Sequence, residues 1–163
     1  MFKDVFIFST RGKIGENIIR MKRDKLIINP TSKCFINNIR LIIIGQKANE
    51  TIEINEIIKR LKLTSKVKIF SNLTDYEVGC FYKLTSLFVF PSIYEGFGIP
   101  ILEAMASSKP MALSNLEVFR EITENKYIYF DPYDPLSIAN NISSEVDKIS
   151  TYIKKFYENI NNN

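Results

Sequence analysis

Residues 87–106 have the sequence LFVFPSIYEGFGIPILEAMA, which predicts a buried strand, a glycine-containing loop and a helix in that order. The apolar run LFVF is continuous, as in strands covered on both faces of a parallel sheet. Pro91 ends this strand. Pro100 suits the first turn of a helix because its missing N–H would have no helical partner there.

The loop and the start of the helix form a predicted anion-binding site. We expect the free backbone amides of Ile99, Ile101 and Leu102 to point beyond the strand end, where the helix dipole favours negative charge. Gly96 and Gly98 are expected to let a ligand approach the backbone because they carry no Cβ. The stretch therefore predicts a phosphate cradle.

Two carboxylates accompany this cradle. Glu95 lies in the loop and Glu103 in the first turns of the helix, so both are expected to face the same crevice. A carboxylate accepts two hydrogen bonds at once, which suits the vicinal hydroxyls of a ribose. Taken singly, each has a simpler interpretation, Glu103 as an acid that stabilises a helix N-terminus and Glu95 as a solvated loop residue.

Short apolar runs alternate with helical periodicity along the rest of the chain. The predicted strands span residues 5–8, 40–44, 66–70, 86–90, 110–113 and 127–130. This alternation predicts an α/β fold, a Rossmann-like three-layer domain with a parallel sheet of about six strands. Ligands of such sheets bind beyond the carboxyl ends of the strands, which is where the loop after residue 90 falls.

Helices are predicted between these strands. The first spans residues 17–27, and the second is marked by an apolar face of Ile54, Ile57, Ile58 and Leu61. The third begins with a capping box formed by Thr74 and Glu77. The fourth begins with Asp134 as N-cap and Pro135 as first residue, and its apolar stripe consists of Leu136, Ala139, Ile142, Val146 and Ile149. A separate last helix is predicted over 151–160, before a frayed Asn tail. The domain division is therefore 1–150 for the Rossmann-like domain and 151–163 for the helix and tail. Tyr152, Ile153, Phe156 and Tyr157 of the last helix either pack on this core or cover a neighbouring domain.

The composition excludes several classes of enzyme. The 163 residues include no His and two Cys, Cys34 and Cys80, which excludes His-based acid–base catalysis, Ser-His-Asp triads and structural zinc sites. Two cysteines without CxxC spacing indicate a reducing compartment, and we expect a cytoplasmic protein. The N-terminus lacks a signal-peptide pattern, and no apolar run approaches the ~20 residues of a membrane span.

The net charge of +4 is unevenly distributed. Residues 1–40 carry nine Lys and Arg against three Asp and Glu, so the rest of the chain is slightly acidic. A basic segment suits the phosphates of a small ligand or an anionic surface, and it is also typical of a solvated protein surface. No basic stripe is interleaved with aromatic residues, so we expect no nucleic-acid partner and at most peripheral membrane contact.

The motif of residues 91–106 is also a family signature. Every fixed element of the pattern PS-x-x-E-G-F-G-x-P-x-x-E-A-M-A is present. The chain therefore resembles the C-terminal, donor-binding half of GT-B glycosyltransferases of the group 1 type, retaining enzymes related to glycogen and sucrose synthases and to bacterial surface-polysaccharide transferases. The likeness extends to LIIIG at 41–45, VKIF at 67–70 and YFDPYDP at 129–135. It implies a nucleoside-diphosphate sugar as donor substrate, with no metal and no other cofactor.

The resemblance implies roles for individual residues. Glu103 would hold the donor ribose hydroxyls, and Glu95 would contact the transferred sugar close to its anomeric carbon. Arg11, in the first loop, would neutralise the leaving diphosphate, and Lys13 would replace the second cation of the family pattern. The predicted catalytic residues are Glu95 and Arg11, and the predicted donor-binding residues are Glu103, Gly96, Phe97, Gly98, Ile99, Ile101, Leu102 and Lys13.

Three positions depart from the family pattern. Glu16 stands where a Lys is expected after Arg11, and Ser71 and Ser108 stand where the family has Gly, in turns that favour Gly. We also expect the chain to begin directly with the donor-binding domain, without the acceptor-binding domain that precedes it in GT-B enzymes. An acceptor-domain chain or a second copy of this chain is then the expected partner.

Two functions are compatible with these features. The first is the donor domain of a retaining glycosyltransferase of polysaccharide or lipopolysaccharide synthesis. The alternative is a non-catalytic nucleotide-sugar-binding module or a decayed remnant of a split glycosyltransferase, which the three departures favour and the intact Glu95 and Glu103 oppose. A dinucleotide-binding oxidoreductase is excluded because no G-x-G-x-x-G follows the first strand.

Overall fold

Strands and helices alternate along the chain in a computed structural model, which describes residues 4–13, 39–46 and 49–161. The strands are β1 (Asp4–Lys13), β2 (Ile39–Gln46), β3 (Val67–Phe70), β4 (Leu87–Phe90), β5 (Met111–Ser114) and β6 (Ile128–Phe130). The helices of these ranges are α1 (Asn49–Arg60), α2 (Asp75–Leu84), α3 (Ile99–Ala106), α4 (Glu117–Ile122) and α5 (Pro135–Asn161). The predicted helix over 17–27 lies outside the described residues.

The described strands form one parallel sheet in the order β3-β2-β1-β4-β5-β6. Chain order reverses direction between β1 and β4, which pair with Phe6 opposite Leu87 and Phe8 opposite Val89. This is the strand order of a doubly wound dinucleotide-binding fold, whose ligands bind where the order reverses. The predicted α/β class and its six-stranded parallel sheet are confirmed.

The sheet is covered by helices on both faces. Successive residues of β4 point to opposite faces, so Leu87 and Val89 pack with α1 and α5, whereas Phe88 and Phe90 pack with α2, α3 and α4. The first core includes Leu41, Ile43, Ile54, Ile58, Ile138, Ile142 and Val146, and the second includes Tyr82, Ile101, Ala104, Met111, Leu113 and Phe119. All four residues of β4 are buried, which explains its continuous apolar sequence.

Helix α2 begins at the predicted capping box. The Thr74 hydroxyl accepts from the Glu77 backbone N–H at 3.3 Å, and the Thr74 backbone N–H donates to Glu77 Oε2 at 2.7 Å. That backbone bond, together with a second one from the Thr74 hydroxyl, holds the pKa of the exposed Glu77 carboxyl below its usual value. The sequence signature and the observed cap therefore agree.

Helix α5 corrects two predictions. It continues without a break from Pro135 to Asn161, so the separate helix predicted over 151–160 is its second half. The reason is that residues 136–161 contain neither Gly nor Pro, and the Thr151 hydroxyl donates back to the Asp147 carbonyl at 2.8 Å within the helix. Leu136, placed on the buried stripe, is 56% exposed, and Ile138 is buried instead. Residues 162 and 163 of the predicted tail lie outside the described residues.

The two serines at glycine positions behave differently. Ser108 has a φ of 53°, the left-handed backbone that favours glycine, so the expectation holds there. Ser71 does not adopt this backbone, and Asn72 does so instead with a φ of 58°. The left-handed position of that turn therefore falls one residue later than predicted, on an Asn that tolerates it.

Candidate functional site

The strand order locates the candidate site at the carboxyl ends of β1 and β4. These strands are parallel neighbours, so their carboxyl ends lie at the same edge of the sheet. The segment after β4 runs from Pro91 to Gly98 and leads into α3. The sequence motif therefore lies at the reversal of strand order, where doubly wound sheets bind their ligands.

Glu95 is oriented by a buried serine. Its side chain is half-buried, and its Oε1 lies 3.0 Å from the hydroxyl of Ser92, which is 0% exposed. The same hydroxyl lies 3.0 Å from the Tyr94 carbonyl, so its single proton is shared between the loop backbone and the Glu95 carboxylate. A carboxylate retains capacity for further hydrogen bonds after accepting one. Glu95 is thus oriented while remaining partly exposed.

Glu103 is held in a similar way. It is the fifth residue of α3 and is half-buried, and its Oε2 lies 3.1 Å from the hydroxyl of Tyr82 in α2. Tyr82 is itself 2% exposed. Each carboxylate of the motif therefore contacts a buried hydroxyl, and the two buried hydroxyls come from different elements. Sequence analysis did not identify Ser92 or Tyr82 as part of the site.

The two glycines of the loop have different surroundings. Gly98 has a φ of 87° and caps α3, and a Cβ built on it would lie 3.0 Å from Phe119 Cε1. A packed aromatic ring therefore occupies the side of Gly98 on which a Cβ would lie, and the role of Gly98 in donor binding remains a prediction. Gly96 is exposed, and no atom lies within 4 Å of a Cβ built there. Its role in ligand approach remains a prediction.

The start of α3 corrects the prediction for one of the three amides. The Ile101 N–H donates to the Gly98 carbonyl at 2.9 Å, and its side chain is fully buried, so it does not present a free amide. Ile101 is three residues after the N-cap Gly98, so this is the 3₁₀-type bond that tightens the first turn of a helix. Phe97, Ile99 and Leu102 are exposed, and their contacts with a donor remain predictions.

Arg11 and Lys13 lie in a strand rather than in the predicted loop. Strand β1 extends to Lys13, which pairs with Gln46 after an irregularity in the register beyond Ser9. The pairing with β2 therefore continues past residue 8, where the predicted strand ended. Both residues lie at the carboxyl end of β1, beyond its pairing with β4, and their roles remain predictions. Glu16 lies outside the described residues.

An open cleft adjoins Glu95. It has a volume of about 370 Å³ between the loop after β4 and helix α4, and it is lined by Ile93, Tyr94, Glu95, Leu116, Glu117, Val118 and Glu121. The α4 side of this cleft was not predicted, since residues 115–122 carry no pattern that by itself indicates a ligand. The cleft lies within the size range of small-molecule sites.

Two further findings concern the described ranges as a whole. No helix within residues 49–161 is both long and apolar enough to cross a membrane. Among the residues that the structure describes, no group of three His, Cys, Asp or Glu side chains is placed to hold a metal ion.

The family model for glycosyl transferases group 1 matches residues 17–161. The chain is 31% identical over 124 residues to the O-antigen chain mannosyltransferase RfbU of Salmonella typhimurium, covering 76% of this chain and 35% of that protein. The chain thus spans about a third of the length of this curated relative.

Solved structures share the fold. The C-terminal domain of a glycosyl transferase group 1 family protein (LpcC) from Francisella tularensis superposes with a TM-score of 0.70 at 20% identity, covering 90% of this chain and 77% of that one. Anabaena Alr3699/HepE, solved in complex with UDP, gives a TM-score of 0.67 at 19% identity and covers 98% of this chain and 48% of that one. With the family model matching most of its length, the chain belongs to the glycosyl transferases group 1 family.

Proposed function

We propose that this chain is the nucleotide-sugar-binding part of a retaining glycosyltransferase of surface-polysaccharide synthesis. The observation that carries the proposal is the pair Glu95 and Glu103, each hydrogen-bonded by a buried hydroxyl in the segment after β4. The name of the Salmonella relative supports a mannosyl donor. The UDP complex of the Anabaena protein supports a nucleoside diphosphate as the carrier of the sugar.

The chemistry assigns separate tasks to the two acids. Glu103 accepts hydrogen bonds from the vicinal ribose hydroxyls, which a carboxylate binds in bidentate fashion. Glu95 contacts the sugar next to the anomeric carbon. There the bond to the diphosphate oxygen breaks, a bond to the acceptor oxygen forms on the same face, and the proton of the acceptor hydroxyl passes to the departing diphosphate. Negative charge grows on the departing diphosphate, and Arg11 at the carboxyl end of β1 stabilises it.

The backbone at Ser71 and Ser108 speaks against the alternative of a decayed remnant. Ser71 does not adopt a left-handed backbone, so glycine is not required there. Ser108 adopts one but still completes the end of α3, since its N–H donates to the Met105 carbonyl at 2.8 Å. Neither serine therefore prevents the local geometry that the glycine would provide.

Calorimetric titration with GDP, UDP, GDP-mannose and UDP-glucose tests the proposal. Glu103→Gln is expected to lower affinity for the preferred nucleoside diphosphate and for its sugar conjugate by about ten- to a hundredfold each, since a lost hydrogen bond to a charged group is worth about 1.5–3 kcal/mol. Glu95→Gln is expected to lower affinity for the sugar conjugate alone. Ribose contacts persist when the sugar is absent, whereas sugar contacts do not.

Glu124→Gln is the matched control, because Glu124 is an exposed acid that pairs with Lys126. This variant should bind every ligand as the unaltered chain does. Equal losses for the Glu95 and Glu103 variants would contradict the two roles. Failure of the unaltered chain to bind any of the four ligands would overturn the function itself.

A further inference from the structure

Tyr82 connects helix α2 to Glu103. Its hydroxyl lies 3.1 Å from Glu103 Oε2 and 3.3 Å from the Pro100 carbonyl, both in α3. The phenol has a single proton to donate, and the Glu103 carboxylate is the closer and stronger of the two acceptors. The hydroxyl therefore joins the middle of α3 to α2 through the Glu103 side chain.

The tyrosine ring is anchored in the core. Tyr82 is 2% exposed, and its ring lies 5.4 Å from that of Phe88, at an interplanar angle of 56°. A phenylalanine ring could make the same packing contact, so packing alone does not account for the hydroxyl of Tyr82. A buried hydroxyl on a fixed ring is a hydrogen-bond donor of fixed position. Its burial costs free energy unless it donates to an acceptor.

A glutamate that binds ribose benefits from such a donor. The Glu103 side chain has three rotatable bonds, and a ligand that had to order it would bind more weakly. One hydrogen bond to Oε2 leaves the carboxylate with acceptor capacity for further partners. Residues that lock a binding group in its productive rotamer are a general requirement of precise sites.

We infer that Tyr82 is a positioning residue, which holds the Glu103 carboxylate in the orientation that receives the ribose hydroxyls of the donor. The inference rests on the function proposed above. It predicts that the hydroxyl of Tyr82 contributes to binding only through Glu103, and only for ligands that carry ribose hydroxyls.

The test is Tyr82→Phe, which keeps the packed ring and removes the hydroxyl. Calorimetry is done with GDP and UDP and with their 2′,3′-dideoxy counterparts. We expect the variant to bind the preferred ribonucleotide about three- to tenfold more weakly, a smaller loss than for Glu103→Gln because the carboxylate stays and only its orientation is lost. The dideoxy counterpart should bind within about twofold of the unaltered chain. Tyr129→Phe, which removes a tyrosine hydroxyl bonded to Thr123, is the control and should alter neither affinity.

A double variant separates positioning from a general structural effect. On a Glu103→Gln background, Tyr82→Phe should produce no further loss of ribonucleotide affinity, because residues that act through one another are not additive. Equal loss for ribo and dideoxy ligands, or an additive loss in the double variant, would overturn the inference. Ribose-selective loss in Glu103→Gln but not in Tyr82→Phe would overturn it while the proposed function stands. Absence of nucleotide binding by the unaltered chain would overturn both.

Discussion

The candidate site depends on the buried hydroxyls of two residues, Ser92 and Tyr82. Ser92 and Tyr82 are 0% and 2% exposed, and each contacts one half-buried carboxylate. Burying a hydroxyl costs free energy unless it is hydrogen-bonded, so each of these residues is stable where it is because its acceptor is there. The acid in turn gains a fixed orientation. Under the proposed function, structure and donor binding therefore depend on the same hydrogen bonds.

The glycines of the same loop allow a residue-scale prediction. Gly98→Ala places a non-glycine residue at a φ of 87° with its Cβ 3.0 Å from Phe119 Cε1. Left-handed backbone costs about 1–2 kcal/mol for an L-residue, and overpacking costs about 1–3 kcal/mol. We expect the free energy of unfolding to fall by about 2–4 kcal/mol, measured by urea denaturation.

Gly96→Ala is the matched control for that variant. A Cβ at this position meets no atom within 4 Å, and Gly96 does not have a positive φ. Its free energy of unfolding should change by less than about 0.5 kcal/mol. A similar loss for both variants would show that the loop, rather than the Gly98 backbone and its contact with Phe119, determines the effect.

At the element scale, both ends of α3 are defined by left-handed residues. Gly98 precedes the helix, and Ser108 follows its C-cap. The Ser108 N–H donates to the Met105 carbonyl at 2.8 Å, and the Lys109 N–H donates to the Ala104 carbonyl at 3.2 Å, which is the Schellman pattern of helix ends. The eight-residue length of α3, and with it the position of Glu103, is fixed at both ends.

Ser108→Gly should stabilise the protein. Ser108 is exposed and has a φ of 53°, so replacing it relieves backbone strain without removing a buried contact. Part of the gain is offset by the larger entropy of glycine in the unfolded chain, and we expect a net increase of about 0.5–1 kcal/mol in the free energy of unfolding. Asn72→Gly, at a φ of 58°, should give a smaller increase because Asn tolerates this backbone. Urea denaturation measures both changes, and destabilisation by Ser108→Gly would contradict the strain argument.

Helices and strands were predictable from the sequence where their bounds depend on residues close together in the chain. The apolar run of β4, the capping box of α2 and the Pro100 start of α3 depend on neighbours within a few residues, and all three are observed. The extent of β1 was not predictable, since the strand is prolonged by the pairing of Ser9 with Ile44 and of Lys13 with Gln46 in β2, far away in sequence. The break predicted near residue 150 was wrong although the sequence spoke against it, since residues 136–161 contain no Gly or Pro to end a helix.

At the scale of the whole molecule, the sheet order decides which parts of the site meet. A pattern of alternating strands and helices does not specify that β1 lies beside β4, because that choice depends on the packing of the complete sheet. The contact of Tyr82 with Glu103 has the same origin, since it joins residues 21 apart on two helices. The motif itself revealed the acids. The groups that orient or adjoin them became evident only in the fold.

The sheet order also supports a role for Arg11 that can be tested. Phe8 pairs with Val89, so the carboxyl end of β1, where Arg11 lies, is beside the strand that leads to Glu95. A guanidinium pairs with phosphate oxygens and not with a base or a ribose. Arg11→Ala is therefore expected to weaken binding of the preferred nucleoside diphosphate about tenfold or more and to leave binding of the matching nucleoside unchanged. Calorimetry of both ligands, with the exposed Arg60→Ala at the end of α1 as the matched control, measures the difference. Equal affinities of the unaltered and Arg11→Ala chains for the diphosphate would place the leaving-group cation elsewhere in the molecule.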